Sequence, residues 1–317
     1  MRGISRLGFG LSGIAGLVSR KEQDYLLGTA FDNGITHFDV APAYGNGDAE
    51  RILGKFVQRH RDRVTIATKA GLTSPFGQSA LRGARQVARR VFRLLPALKR
   101  SVADATARIH STVDYSPEGL RASIDCSLRE LRIERIDLLL LHDWPAEAAL
   151  REPILLELSS LSSAGKIKCA GIASSPKAVE EILCSADSIY QIVQFENSLL
   201  KPAVSAIINS AHKRYAITHS ALSVTFLTLM RQFATRPDLC DLCRLQVGFD
   251  PTDSSQLSSF LMEWALARNP NGTVLFSTTN IDHVKENTMH SKSVVYSADV
   301  LAKFEALVFD MRAGKLP

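Results

Sequence analysis

The chain is short of cysteine and of long apolar runs. Five Cys in 317 residues are too few and too scattered for the disulfide framework of a small secreted domain. No apolar stretch approaches the roughly 20 residues of a membrane span, and no charged-then-apolar leader opens the sequence. A reducing, cytoplasmic compartment is therefore expected. Cys240 and Cys243 form a lone C-x-x-C, read here as part of a polar loop. No second pair and no His-x-x-x-His tract accompanies it, so no metal site is expected. A strong charge bias is missing too. The net charge of +6 suits acidic small ligands, nucleotides included, without demanding nucleic acid.

What is present is an alternation. Short apolar runs occupy 7–10, 35–40, 63–69, 136–142, 167–174, 189–196, 215–222 and 272–278, and helical patterns follow them. Those patterns lie near 21–33, 48–60, 116–132, 147–165, 177–185, 203–213 and 255–268, then from 281 onward and over 298–312. Ser116 is a candidate N-cap with Pro117 in the first turn, and Gly165 closes a helix. Strand–helix alternation means parallel strands with crossover helices. Eight such units predict a single domain over 1–317, an α/β (β/α)₈ TIM barrel with a C-terminal extra helix.

Gly8, Gly10 and Gly13 spell G-x-G-x-x-G, the fingerprint of a Rossmann dinucleotide site. That fingerprint needs an apolar strand before it and a helix opening on it. Here "RGISRL" precedes it and the helical pattern begins only near Ser19. A glycine-rich βα loop is the better reading.

The connection after the third strand, about 71–115, is far longer than the usual two to six residues. Within it "LRGARQVARRVFRLLPALKR" (81–100) carries seven basic residues and no acid, with apolar residues at helical spacing. This basic amphipathic helix is expected to be a flap over the barrel mouth that shapes the substrate pocket. Contact with a membrane surface or an acidic partner is the alternative.

Three strands end in charge. Asp39, Lys69 and His142 each close an apolar run, and in a barrel those ends share the face on which active sites are built. Tyr44 follows in the loop after the second strand. A buried carboxylate needs a cationic partner, and Lys69 on the next strand can supply one. The ammonium beside Tyr44 is expected to lower the phenol's pKa from its usual value near 10. Such a phenol exchanges a proton with a carbonyl oxygen or an alcohol, and His142 can bond the same oxygen. These groups move protons but no electrons, so a hydride donor of the nicotinamide type is implied.

At these residues the chain resembles the aldo-keto reductases. The matching stretches are "GITHFDVAPAYGNGDAERILG", "TIATKAG", "IDLLLLHDWP", "IVQFENSLL" and "STTNIDHVKENT", spread in the family's order over about residues 5–290. The resemblance implies a catalytic tetrad of Asp39, Tyr44, Lys69 and His142, with Tyr44 as general acid/base. It implies NADP(H), with NAD(H) as the alternative, bound extended at the C-terminal face of the barrel. Gln194 would bond the nicotinamide carboxamide. Ala173 and Ser174 stand where the family often has Ser-Asn, and His219 where a stacking aromatic is usual. Ser277, Thr278, Thr279 and Asn280 would hold the adenosine phosphate, with His283 nearby and Glu286 and Asn287 at the adenine. The implied activity interconverts a small carbonyl compound or sugar and an alcohol. Two alternatives stand beside it: oxidation of a sugar hemiacetal to a lactone, and a non-catalytic, cofactor-binding regulatory subunit. Specificity is expected in the loops at about 71–113, 143–147 and 221–254. Neither the substrate nor the oligomeric state is legible.

Overall fold

The computed structural model describes residues 3–17, 19–71, 114–185, 189–203, 207, 214–292 and 295–315. The bulk of the 71–115 insertion, including the basic helix at 81–100, and most of the helix expected at 203–213 lie outside the described residues.

Eight parallel strands close into a barrel in sequence order: β1 (Leu7–Gly10), β2 (His37–Asp39), β3 (Thr65–Ala70), β4 (Ile136–His142), β5 (Ile167–Ala173), β6 (Tyr190–Glu196), β7 (Tyr215–His219) and β8 (Thr273–Phe276). Closure is made by β1 against β8, with Gly8 opposite Leu275. Strands buried on both faces read as near-continuous apolar runs, which is why "IDLLLLH" carries four successive leucines between Asp137, paired with Arg61 at its start, and His142 at its end. Inside the barrel Ala67, Leu138, Leu140, Ile192, Ile217 and Leu275 pack on one another. Gly8 lies in β1, where a β-carbon would collide with the Leu275 side chain and the His37 ring. Any larger residue there would displace the barrel's own filling.

Local signals set the helix starts. Ser19 opens Arg20–Asp32 with a capping box to Glu22. The Ser116 hydroxyl accepts from the Gly119 backbone N–H at the head of Pro117–Leu131. The helix Ala49–Val57 presents Ile52, Leu53, Phe56 and Val57 to the core. At Gly54 it approaches the Leu131 carbonyl so closely that a β-carbon has no room. Glu50, one turn earlier, is buried against β3, where the Thr68 hydroxyl donates to its carboxylate at 2.7 Å.

Three sequence expectations change. The pattern at 147–165 is two helices, Ala146–Ala149 and Glu152–Ser163; Pro153 in the first turn of the second starts it afresh. The stretch 221–254 is not a loop: it contains helices Ser223–Thr235 and Pro237–Gln246 before Ser254–Arg268. The C-x-x-C therefore lies on a helix rather than in a polar loop, with both side chains buried. Burial pushes the Cys243 thiol up to about 12, which leaves it inert as a thiolate. The last helix, Ala298–Arg312, inserts Phe304 against Phe260 at 4.6 Å between ring centres. Among the described residues, no helix is long and apolar enough to cross a membrane, and no His/Cys/Asp/Glu group could hold a metal ion.

Candidate active site

The C-terminal ends of the strands surround a cavity of about 1050 Å³. Asp39, Tyr44, Lys69 and His142 all line it. Asp39 and His142 end their strands, Lys69 sits one residue before the end of β3, and Tyr44 begins a 3₁₀ turn spanning 44–47.

The carboxylate of Asp39 is bonded on both oxygens. Lys69 Nζ donates to Oδ1 at 2.5 Å, and Gln194 Nε2 donates to Oδ2 at 2.8 Å. The ammonium also donates to the Val40 carbonyl at 3.2 Å. Asp39, Lys69 and Gln194 are each only 2% exposed, so these charges are held almost out of water. Burial alone would lower the Lys69 pKa, but Asp39 and Tyr44 together more than offset it and the net shift is upward. Lys69 stays charged.

Its Nζ lies 4.8 Å from the centre of the Tyr44 ring. The expected lowering of the phenol's pKa does not survive. Burial raises it, and Lys69 only partly opposes that rise. Tyr44 is thus protonated well into the alkaline range, which fits a proton donor better than a resident phenolate. The His142 ring stands edge-on to Tyr44, 6.3 Å between centres. Burial first, and the Lys69 charge second, lower His142 to about 4. It is a neutral imidazole at pH 7, able to donate one hydrogen bond to a substrate oxygen. Its Nδ1 is buried with no hydrogen-bond partner among the described residues.

Eight of the expected cofactor positions line the same cavity: Ser174, Gln194, His219, Ser277, Thr278, His283, Glu286 and Asn287. Thr279 and Asn280 do not. The Asn280 side chain instead caps the helix Ile281–His290, accepting from the Asp282 N–H at 2.9 Å. Ser12 and Ser277 meet hydroxyl to hydroxyl at 3.2 Å, so the loop after β1 borders the loop after β8. The glycine-rich stretch thus serves the site as a βα loop. His219 is held by Ser220, Nδ1 to Oγ at 2.8 Å, and burial lowers its pKa.

Two lining carboxylates are not singled out by the sequence. Glu196, two residues beyond Gln194 on β6, is paired with Lys201 at 3.2 Å. Asp143 follows His142 and faces it, Oδ2 to Nε2 at 3.9 Å. The signal for Asp143 is only a second charge directly after the strand-ending histidine, and adjacent strand residues normally point to opposite faces.

The family profile described as the Aldo/keto reductase family matches residues 6–308. Over 147 residues the chain is 33% identical to pyridoxal 4-dehydrogenase of Microbacterium luteolum, which covers 44% of this chain and 40% of that one. Over 150 residues it is 34% identical to D-threo-aldose 1-dehydrogenase of a Pseudomonas species, with the same shares. These matches span less than half the length of either relative. L-galactose dehydrogenase of Arabidopsis thaliana is 23% identical over 96% of this chain and 91% of its own. Among solved structures, an aldo-keto reductase from Bacillus halodurans in its holo form superposes with a TM-score of 0.70 at 18% identity, covering 96% of this chain and 92% of that one. With the profile spanning nearly the whole sequence, this chain belongs to the aldo/keto reductase family.

Proposed function

We propose that the chain is an NAD(P)(H)-dependent oxidoreductase that interconverts a carbonyl group and an alcohol on a small molecule. The observation that carries this reading is the joint presence of Asp39, Lys69, Tyr44 and His142 in one cavity, with their charges internally paired. The family that the chain belongs to and the dehydrogenase names of its relatives support it. A nicotinamide, bound with its ring near Gln194 and His219, would supply the hydride. Tyr44, protonated at neutral pH, gives its proton to the carbonyl oxygen in reduction and recovers one from the alcohol in oxidation. Lys69 steadies the phenolate left behind, and Asp39 fixes the ammonium. Neutral His142 donates to the same oxygen and orients it. Gln194, with its Nε2 held by Asp39, would have its amide oxygen left to accept from the cofactor's carboxamide.

We read residues 1–317 as one barrel domain acting in the cytoplasm. The absence of any disulfide among the five cysteines is consistent with that compartment. NADP(H) is the first expectation for the cofactor. NAD(H) is a second reading that one observation favours: among the described residues lining the cavity, Lys69 is the sole Lys or Arg, so no cation is seen to meet a 2′-phosphate.

The test is turnover of NADPH and NADH with a panel of aldehydes, ketones and sugars, and the reverse reaction with the alcohols. Tyr44→Phe is expected to lower kcat about 10²- to 10⁴-fold while cofactor binding, read by fluorescence titration, changes little. Wild-type kcat in that variant would refute the assignment. Tight cofactor binding by a wild type that turns over nothing in the panel would favour the regulatory alternative.

A further inference from the structure

The residue after His142 has an unusual backbone. Asp143 adopts φ 53°, in the left-handed region that a β-carbon disfavours and that Asp enters more readily than most. Its N–H is held by the Ala173 carbonyl at 2.8 Å. The residue after it, Trp144, is fully buried, and its indole N–H donates to the Ala70 carbonyl at 3.1 Å. The left-handed step thus breaks the strand's in-and-out alternation. His142 and Asp143 both line the cavity, and the chain dives into the core only at Trp144. A sparsely populated backbone conformation beside reacting groups is a pointer to function when it aims a side chain.

The side chain it aims is unlike its neighbours. Asp39 is bonded on both oxygens and Glu196 is tied to Lys201. Asp143 lines the cavity, its side chain is 61% exposed, and no hydrogen bond to its carboxylate is made by the described residues. Its Oδ2 is 3.9 Å from His142 Nε2, too far for a direct bond. In the reaction proposed above, the carbonyl oxygen would accept from that Nε2. An acceptor one such step away is in position for a hydroxyl on the adjacent carbon of the same molecule. A carboxylate accepts and does not donate at neutral pH, so the group it selects must carry a hydrogen.

We propose that Asp143 is a specificity-determining residue, accepting a hydrogen bond from the hydroxyl on the carbon next to the reacting carbon. The substrate class is then α-hydroxy carbonyl compounds, short aldoses included, with the matching vicinal diols in the reverse direction. This rests on the oxidoreductase reading above and narrows its substrate.

The test compares lactaldehyde with propanal, which differ only in that hydroxyl. The wild type is expected to prefer lactaldehyde in kcat/KM by about tenfold or more, since a lost hydrogen bond to a charged group costs of that order. Asp143→Gly removes the carboxylate while allowing the left-handed backbone, so the fold is kept. In that variant the lactaldehyde-to-propanal ratio falls about tenfold toward unity, and Asp143→Asn falls between. An unchanged ratio in Asp143→Gly, or no preference in the wild type, overturns the proposal. Saturation-transfer NMR of propane-1,2-diol reads the same contact without turnover: a signal with wild type that Asp143→Gly loses supports it, and equal signals overturn it. If neither aldehyde is turned over but the diol signal is lost in the variant, the oxidoreductase reading fails while the contact stands.

Discussion

The two ends of the cavity are built on different physics. Around Asp39, charged groups are nearly dry and answer one another: Lys69 on one oxygen, Gln194 on the other, Val40 on the ammonium. Around the loop after β8, the groups are hydroxyls, an amide and an imidazole at the surface, satisfied by one another or by helix ends, as Thr278 is by the Asn280 N–H at 3.0 Å. A dry charge cannot lose its partner cheaply, whereas an exposed hydroxyl can. On the proposed function, the reacting groups would be locked to the fold, while cofactor preference at the other end would be free to drift.

The contrast breaks most visibly at its dry end. Lys69→Met leaves Asp39 buried beside Gln194 alone and is expected to cost about 3–5 kcal/mol of stability, measured by urea denaturation. A loss below about 1 kcal/mol would mean that the pair is no more essential than a surface one.

Glu50 sharpens the comparison, because it is a buried carboxylate without a cation. Burial raises it to about 7, with the Thr68 hydroxyl only partly opposing. The native state keeps this proton to a higher pH than the unfolded chain does. Raising the pH from about 4.5 to about 7 therefore takes stability away, and above that range the loss is complete. Glu50→Gln should be more stable than wild type at pH 8, by up to about 3 kcal/mol, with the gain fading below pH 5. Equal pH–stability curves would show that Glu50 finds water or relaxes. The smallest effect belongs to the exposed end. Ser277→Ala with Thr278→Ala should weaken cofactor binding by about 2- to 10-fold per lost hydrogen bond, read by titration calorimetry. Unfolding should shift by no more than about 0.5 kcal/mol per site.

What is legible in the sequence follows the same division. The barrel is readable because its strands are continuous apolar runs with caps such as Ser19 and Ser116 at the helix heads. The candidate tetrad is readable because a carboxylate ending an apolar strand needs a cation, which Lys69 on the next strand supplies, and because His142 ends the strand after that on the same face. The helices at 223–246 are not readable. They are held by Leu229, Phe233 and Leu239 entering the core, and tertiary packing of that kind overrides weak local propensity. The direction of the Tyr44 shift escapes for a related reason: residue order names the neighbouring ammonium but not the depth of burial that outweighs it. Asp143 stays hidden because the sign of a backbone dihedral is not written in residue order either.

Trp144 has one more consequence. Its indole lies so close to Gly71, at φ 120°, that no β-carbon fits there, and the Tyr115 ring meets it edge-on at 4.9 Å between centres. The chain thus departs for its long excursion and comes home at one clasp, two residues from His142. With both ends already pinned, doubling the length between them would add only about 0.6 kcal/mol of closure entropy. A change of length in that connection therefore carries little closure cost of its own, because the clasp at Trp144 fixes both of its ends.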